Sequence, residues 1–148
     1  MNAKYMLSAI NMAKKAKRKN EVPVGAVIVK DDKIIASAHN MCEALFDSTA
    51  HAEMLAIKEA EKTLQKKRLT DCEIYVTLEP CAMCAGAIAA ARFKEVVFGA
   101  YDLDAGAVES AMQLFSNKKL NYSPKIFGGI KKKECEDLIK EFFNNKRA

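Results

Sequence analysis

The sequence predicts an α/β protein, a three-layer α/β/α sandwich around a central mixed sheet of about five strands. Three observations predict it. A leading helical segment and a hairpin are followed by strands that alternate with helices, an order that covers both faces of a sheet. The 148 residues, half of them hydrophobic, suffice for one sizeable core and fall short of two. No repeat or low-complexity linker divides the chain, so residues 1–148 read as a single domain.

Each element has its own signal. Residues 2–19 show helical periodicity and end in the polar "KRKNEVP". "VPVGAVIV" at 22–29 and "KIIASAHN" at 33–40 read as strands, and the intervening "KDDK" makes them a hairpin. Residues 50–64 carry Ala, Met, Leu and Ile near helical spacing. "CEIYVTL" at 72–78 is β-branched and aromatic, so it reads as a strand. The Ala-rich "CAMCAGAIAAAR" at 81–92 favours a helix and "EVVFGA" at 95–100 another strand. "AGAVESAMQLF" at 105–115 predicts a further helix, "SPKIFGG" at 123–129 a last edge strand, and "KKKECEDLIKEFF" at 131–143 a terminal helix.

Bulk composition excludes several classes. No apolar run reaches the roughly 18–20 residues of a membrane span, and the lysine-bearing N-terminus lacks the apolar centre of a signal peptide. The chain therefore reads as cytoplasmic, with no membrane partner. Five cysteines, an odd number that includes one tight pair, suit metal or redox chemistry better than a disulfide framework. A formal charge of +5 permits a polyanionic partner without requiring one. Basic residues at 14–19, 117–119, 131–133 and in the closing "NNKRA" could track phosphates, although a solvated helix face is the commoner explanation for any one of them.

The chemistry gathers in "TAHAE" and "TLEPCAMC". Cys81 and Cys84 are three apart, so on a helix they share a face, and Pro80 suits the turn that leads into it. Thiolates at a helix N-terminus are stabilised by its macrodipole, which prepares them for a metal but equally for redox chemistry. His51 favours the metal. One nitrogen and two sulfurs would leave the fourth tetrahedral position of Zn²⁺ open, the arrangement of a catalytic site. Glu53 lies two residues on, about 200° around a helix, so both side chains reach one point only if that point lies beyond the helix end. Placed there, Glu53 would accept a proton from a zinc-activated water. His39 reads as a strand-end or core residue.

"HAE" followed by "PCAMC" is the signature of zinc deaminases that act on nucleobases. Beyond that signature, the chain resembles the bacterial tRNA-specific adenosine deaminases along nearly its whole length, through "EVPVGAVIV", "TAHAE", "YVTLEPCAMCAGAI", "VVFGA" and the closing "EC…FF" with its basic residues. The resemblance implies a cytidine-deaminase-like fold, a homodimer, and conversion of the wobble adenosine in a tRNA anticodon loop to inosine. It assigns His51, Cys81 and Cys84 to one Zn²⁺ per subunit and Glu53 to proton transfer, with no organic cofactor. Asn40 matches a residue that contacts the target nucleoside and Asp102 one near the bound RNA strand. Two other readings share these residues: a deaminase of free guanine- or cytosine-type bases, and a non-catalytic, zinc-stabilised RNA-binding module in which Glu53 would be expendable.

Overall fold

The computed structural model describes residues 1–120 and 122–147, and it forms the expected three layers. Helix α1 (Lys4–Arg18) leads into β1 (Gly25–Lys30) and β2 (Lys33–His39). A single-turn helix α2 (Cys42–Leu45) precedes α3 (Ala52–Leu64). Then β3 (Cys72–Leu78), α4 (Ala82–Ala91), β4 (Glu95–Ala100), β5 (Lys125–Phe127) and α5 (Lys132–Arg147) complete the chain. The sheet has the order β2-β1-β3-β4-β5. β1 pairs antiparallel with β2 and β3, whereas β3 with β4 and β4 with β5 run parallel, so the sheet is mixed.

Period-two alternation divides the two cores. Val27, Val29, Tyr75 and Val97 face α1 and α5, while Ala26, Ile28, Ile74, Val76, Val96 and Phe98 face α3 and α4. Strands buried on both faces need apolar residues at nearly every position, and β4 is buried throughout. Each fully buried Val, Ile or Phe contributes about 1.5–3 kcal/mol of transfer free energy. The β1–β2 turn places Asp31 and Asp32 at φ 50° and 59°, the two left-handed residues of a two-residue hairpin loop, as "KDDK" predicts.

Three expectations need correction. Residues 105–115 are not a helix: they form turns that lead to a 3₁₀ turn at Leu114–Ser116, because a buried carboxylate described below takes up their amides. β1 starts at Gly25 rather than 22, since Pro23 has no N–H for the ladder. The edge strand keeps only three residues of 123–129. The side chain of Arg147, together with Ala148, falls outside the described residues of the predicted basic tail. No helix among those residues is long and apolar enough to cross a membrane.

At Gly25, β1 packs directly against the backbone of α1. A Cβ on Gly25 would land on the Ala9 carbonyl oxygen and 2.6 Å from the Ala13 nitrogen, both backbone atoms that cannot move aside. Overpacking of this kind costs about 1–3 kcal/mol or more. Gly25→Ala is therefore expected to lower the thermal midpoint by at least about 3 °C, measured by calorimetry. An unchanged midpoint would contradict this contact.

Candidate active site

The site sits where the parallel strands β3 and β4 end side by side, Leu78 beside Ala100. Cys81 is the N-cap of α4 and His51 the N-cap of α3, both with extended backbone (ψ 176° and 152°). An N-cap residue lies outside the helical spiral, so its side chain is free to point along the helix axis. Two helix N-termini thus converge, and His51 Nδ1 lies 3.7 Å from Cys81 Sγ and 3.5 Å from Cys84 Sγ. Ligand distances of about 2.05 Å to nitrogen and 2.3 Å to sulfur make the N···S edge of a zinc tetrahedron about 3.6 Å. The three donors fit a single zinc ion.

Neither N-cap side chain satisfies its own helix. Asn40, at the end of β2, does it for α3: its Oδ1 accepts the Ala52 N–H at 2.7 Å. Asn40 also lies on the wall of the cleft. His39 is a core residue, with Nδ1 2.8 Å from the Asn40 carbonyl oxygen.

The cleft, about 230 Å³, is lined by Asn40, His51, Glu53, Glu79, Cys81, Asp102 and Ala105, with Val22, Val24 and Leu78 as its apolar walls. It is smaller than the roughly 300–1,000 Å³ of sites for drug-sized ligands, a size suited to one base. All six expected residues meet here: five line the cleft, and Cys84 is buried behind it against His51. Asp102 is also structural, since its Oδ1 accepts the N–H groups of Asp104 and Ala105.

The protonation states are set by burial and by contact between these groups. Burial pushes the Glu53 carboxyl up to about 7, and the Cys81 thiolate beside it acts in the same direction. Hydrogen bonds from the Cys84 thiol and from His51 hold Cys81 down to about 3 despite burial. The hydrogen bond to Cys81 raises His51 against the effect of burial, with the Glu53 charge acting in the same direction, and the Cys81 bond together with burial raises Cys84. These contacts favour the thiolate at Cys81 and the thiol at Cys84.

Two buried glutamates escape sequence reasoning. Glu21 accepts the N–H groups of Glu43 and Ala44 and so caps α2. Glu79, 2 % exposed, accepts the N–H groups of Asp102, Val108, Glu109 and Ser110 and the Ser110 hydroxyl. Burial works against its charge, but these donors prevail and hold the carboxyl below its ordinary value. Only its position before Pro80-Cys81 could have drawn attention to it.

Cys81 offers a direct check. A thiol lowered to about 3 is essentially all thiolate at pH 6, whereas burial raises Cys72 to about 11 and Cys135 to about 12. Iodoacetamide at pH 6 should label the chelator-treated protein first at Cys81, as read by peptide mass mapping, and zinc should protect it. Earlier labelling of Cys72 or Cys135 would contradict these environments.

Comparison with known proteins agrees with this geometry. The family described as the cytidine and deoxycytidylate deaminase zinc-binding region matches residues 1–100. The tRNA-specific adenosine deaminase of Bacillus subtilis (strain 168) is 46 % identical over 143 residues, 97 % of this chain and 89 % of that protein. The protein of the same name from Aquifex aeolicus (strain VF5) is 47 % identical over 148 residues, 99 % and 97 % of the two chains. A solved structure from studies of A-to-I editing by tRNA:A34 deaminases at the wobble position is 39 % identical, with a TM-score of 0.90 over 93 % of this chain and 99 % of that one. The chain belongs to the zinc-binding cytidine and deoxycytidylate deaminase family and, within it, to the tRNA-specific adenosine deaminases.

Proposed function

We propose that this chain hydrolyses the wobble adenosine of a tRNA anticodon to inosine and ammonia, with Glu53 as the catalytic residue and His51, Cys81 and Cys84 as the zinc ligands. The observation that carries this reading is a buried carboxyl in a base-sized cleft, beside three donors at zinc spacing. Zinc, when bound, supplies the Lewis acidity that brings the pKa of a water towards neutrality. Glu53, poised near neutrality by burial, takes the proton of the attacking water and gives it to the ring nitrogen beside the carbon under attack. The carboxylate then takes the proton of the hydroxyl newly bonded to that carbon and passes it to the amine, and ammonia leaves as the carbonyl forms, so one carboxyl serves twice as base and twice as acid. Asn40, its oxygen committed to Ala52, offers N–H donors to the nucleoside, and Asp102 stands at the rim where the RNA strand continues.

RNA as substrate has its own support. A second hollow shares Val22, Leu78, Asp102 and Ala105 with the cleft and runs on to Leu103, Ile139 and Phe143, so the cleft opens towards α5. Leu103 is 80 % and Phe143 43 % exposed, apolar surface of the kind on which bases stack, whereas Phe142 packs inward. Lys132, its ammonium 5.9 Å from the centre of the Tyr101 ring that lines this hollow, adds positive charge beside it. A single-stranded anticodon loop lets the target base splay into such a cleft at low cost. The cytoplasm, which holds tRNA and keeps thiols reduced, suits a chain whose five cysteines are all free.

A homodimer fits the outer flank of α4. From Ala82 to Ala91 this helix carries no charged side chain, and Ala82, Met83, Gly86, Ala87 and Ala90 lie along its exposed or half-buried side. Sedimentation equilibrium should give twice the 16.4 kDa chain mass, and Ala90→Arg should halve it. A monomeric unaltered chain would remove this proposal.

Glu53→Gln keeps the side chain's size but cannot take a proton, so turnover should fall by about 10²–10⁴-fold or more while zinc stays bound. His51→Ala, Cys81→Ala or Cys84→Ala should instead lose zinc, each removing one of three protein ligands, as metal analysis would show. The substrate reading is checked by incubating the protein separately with an adenosine-wobble tRNA, adenosine, guanine and cytidine. Inosine in the tRNA alone is expected, and ammonia from guanine or cytidine alone would favour the free-base reading.

A further inference from the structure

Glu79 takes no part in metal binding or proton transfer as described above, yet its carboxylate is the most heavily hydrogen-bonded side chain near the site. Four backbone N–H groups donate to it, at 3.1 Å from Asp102, 3.1 Å from Val108, 2.7 Å from Glu109 and 2.9 Å from Ser110, and the Ser110 hydroxyl adds a fifth donor. The adjoining backbone joins the same loop: Glu79 N–H donates to the Ala100 carbonyl and Ala107 N–H to the Pro80 carbonyl, each at 2.8 Å. Gly106 lies flat against the carboxyl, where any Cβ would collide with it and with the Asp102 carbonyl oxygen at 2.5 Å. Residues 102–110, which overlap the first half of the helix expected at 105–115, are thereby wrapped around one anion. That loop supplies Asp102 and Ala105 to the cleft, while Glu79 itself is two residues from the zinc ligand Cys81.

We propose that Glu79 is a positioning residue for the deamination: its carboxylate gathers residues 102–110 and so fixes the cleft wall of Asp102 and Ala105 in register with the zinc ligands. The proposal rests on the tRNA deaminase reading above. The site demands a carboxylate and not merely a polar side chain of that size. All five partners are donors, so a glutamine would turn an NH₂ group towards N–H groups and leave some of them without an acceptor.

The test compares the zinc-loaded unaltered protein with Glu79→Gln, Gly106→Ala and the double variant, on an anticodon stem-loop at a temperature where all are folded. Gly106→Ala disturbs the same contact from the loop side, away from Cys81, and serves where Glu79→Gln does not fold. Zinc content should match the unaltered protein. Amide exchange at Val108, Glu109 and Ser110 should quicken by about tenfold or more while β1 and β3 stay protected. KM should rise by about tenfold and kcat change by less than about threefold, since the wall orients substrate and Glu53 is untouched. The double variant should be no worse than the weaker single one, because both break one contact. Unchanged exchange, faster exchange with an unchanged KM, or additive losses would overturn the proposal. Failure of the unaltered chain to deaminate the stem-loop would overturn the tRNA reading instead, an outcome distinct from any result confined to the variants.

Discussion

The parallel pairing of β3 with β4 is the constraint on which the site depends. Its register sets Leu78 against Ala100, so both strands end at one edge of the sheet, and whatever follows them becomes a neighbour. After β3 come Glu79, Pro80 and Cys81, and after β4 come Tyr101 and Asp102. The antiparallel pairing of β1 with β3 and of β2 with β1 returns β2 to the same edge, which delivers Asn40 and, behind it, the start of α3. A slip of β4 by one residue against β3 would turn the β4 side chains to the opposite core and carry Asp102 away from Glu79 and Cys81.

Three buried glutamates show how environment assigns roles to one residue type. Glu21, Glu53 and Glu79 are each under 5 % exposed. Glu21 and Glu79 are ringed by backbone donors and act as anchors for loops on opposite sides of the cleft. Burial dominates at Glu53, which holds its carboxyl near neutrality, where a proton can be taken and returned. The anchor Glu79 is shifted the other way, towards permanent charge. The opposed shifts separate the group that reacts from the group that holds.

How much of this was legible in the sequence follows the range of the interactions. The strands announced themselves through alternation, and His51, Glu53, Cys81 and Cys84 through short spacings that survive without tertiary knowledge. Asn40 could be placed at a strand end, but its bond to Ala52 spans a loop whose path composition does not reveal. The helix expected at 105–115 failed for the same reason: Ala, Glu, Met, Gln and Leu are good local helix formers, yet Glu79 outbids the helix for their amides from 29 to 31 residues away. The four-residue α2 was hidden too, because its cap comes from Glu21.

The N-cap placement of His51 and Cys81 bears on what organises the chain. Neither side chain closes a helix end, and the duty that His51 would otherwise owe to α3 is discharged by Asn40. The scaffold that brings the two helix ends together is built from sheet pairing and apolar contact. In small zinc modules the polypeptide is organised by its ion, and folding and loading are one event. Here the contacts that organise the chain belong to the sheet and its two apolar layers, so the donor set is a small part of what defines the fold.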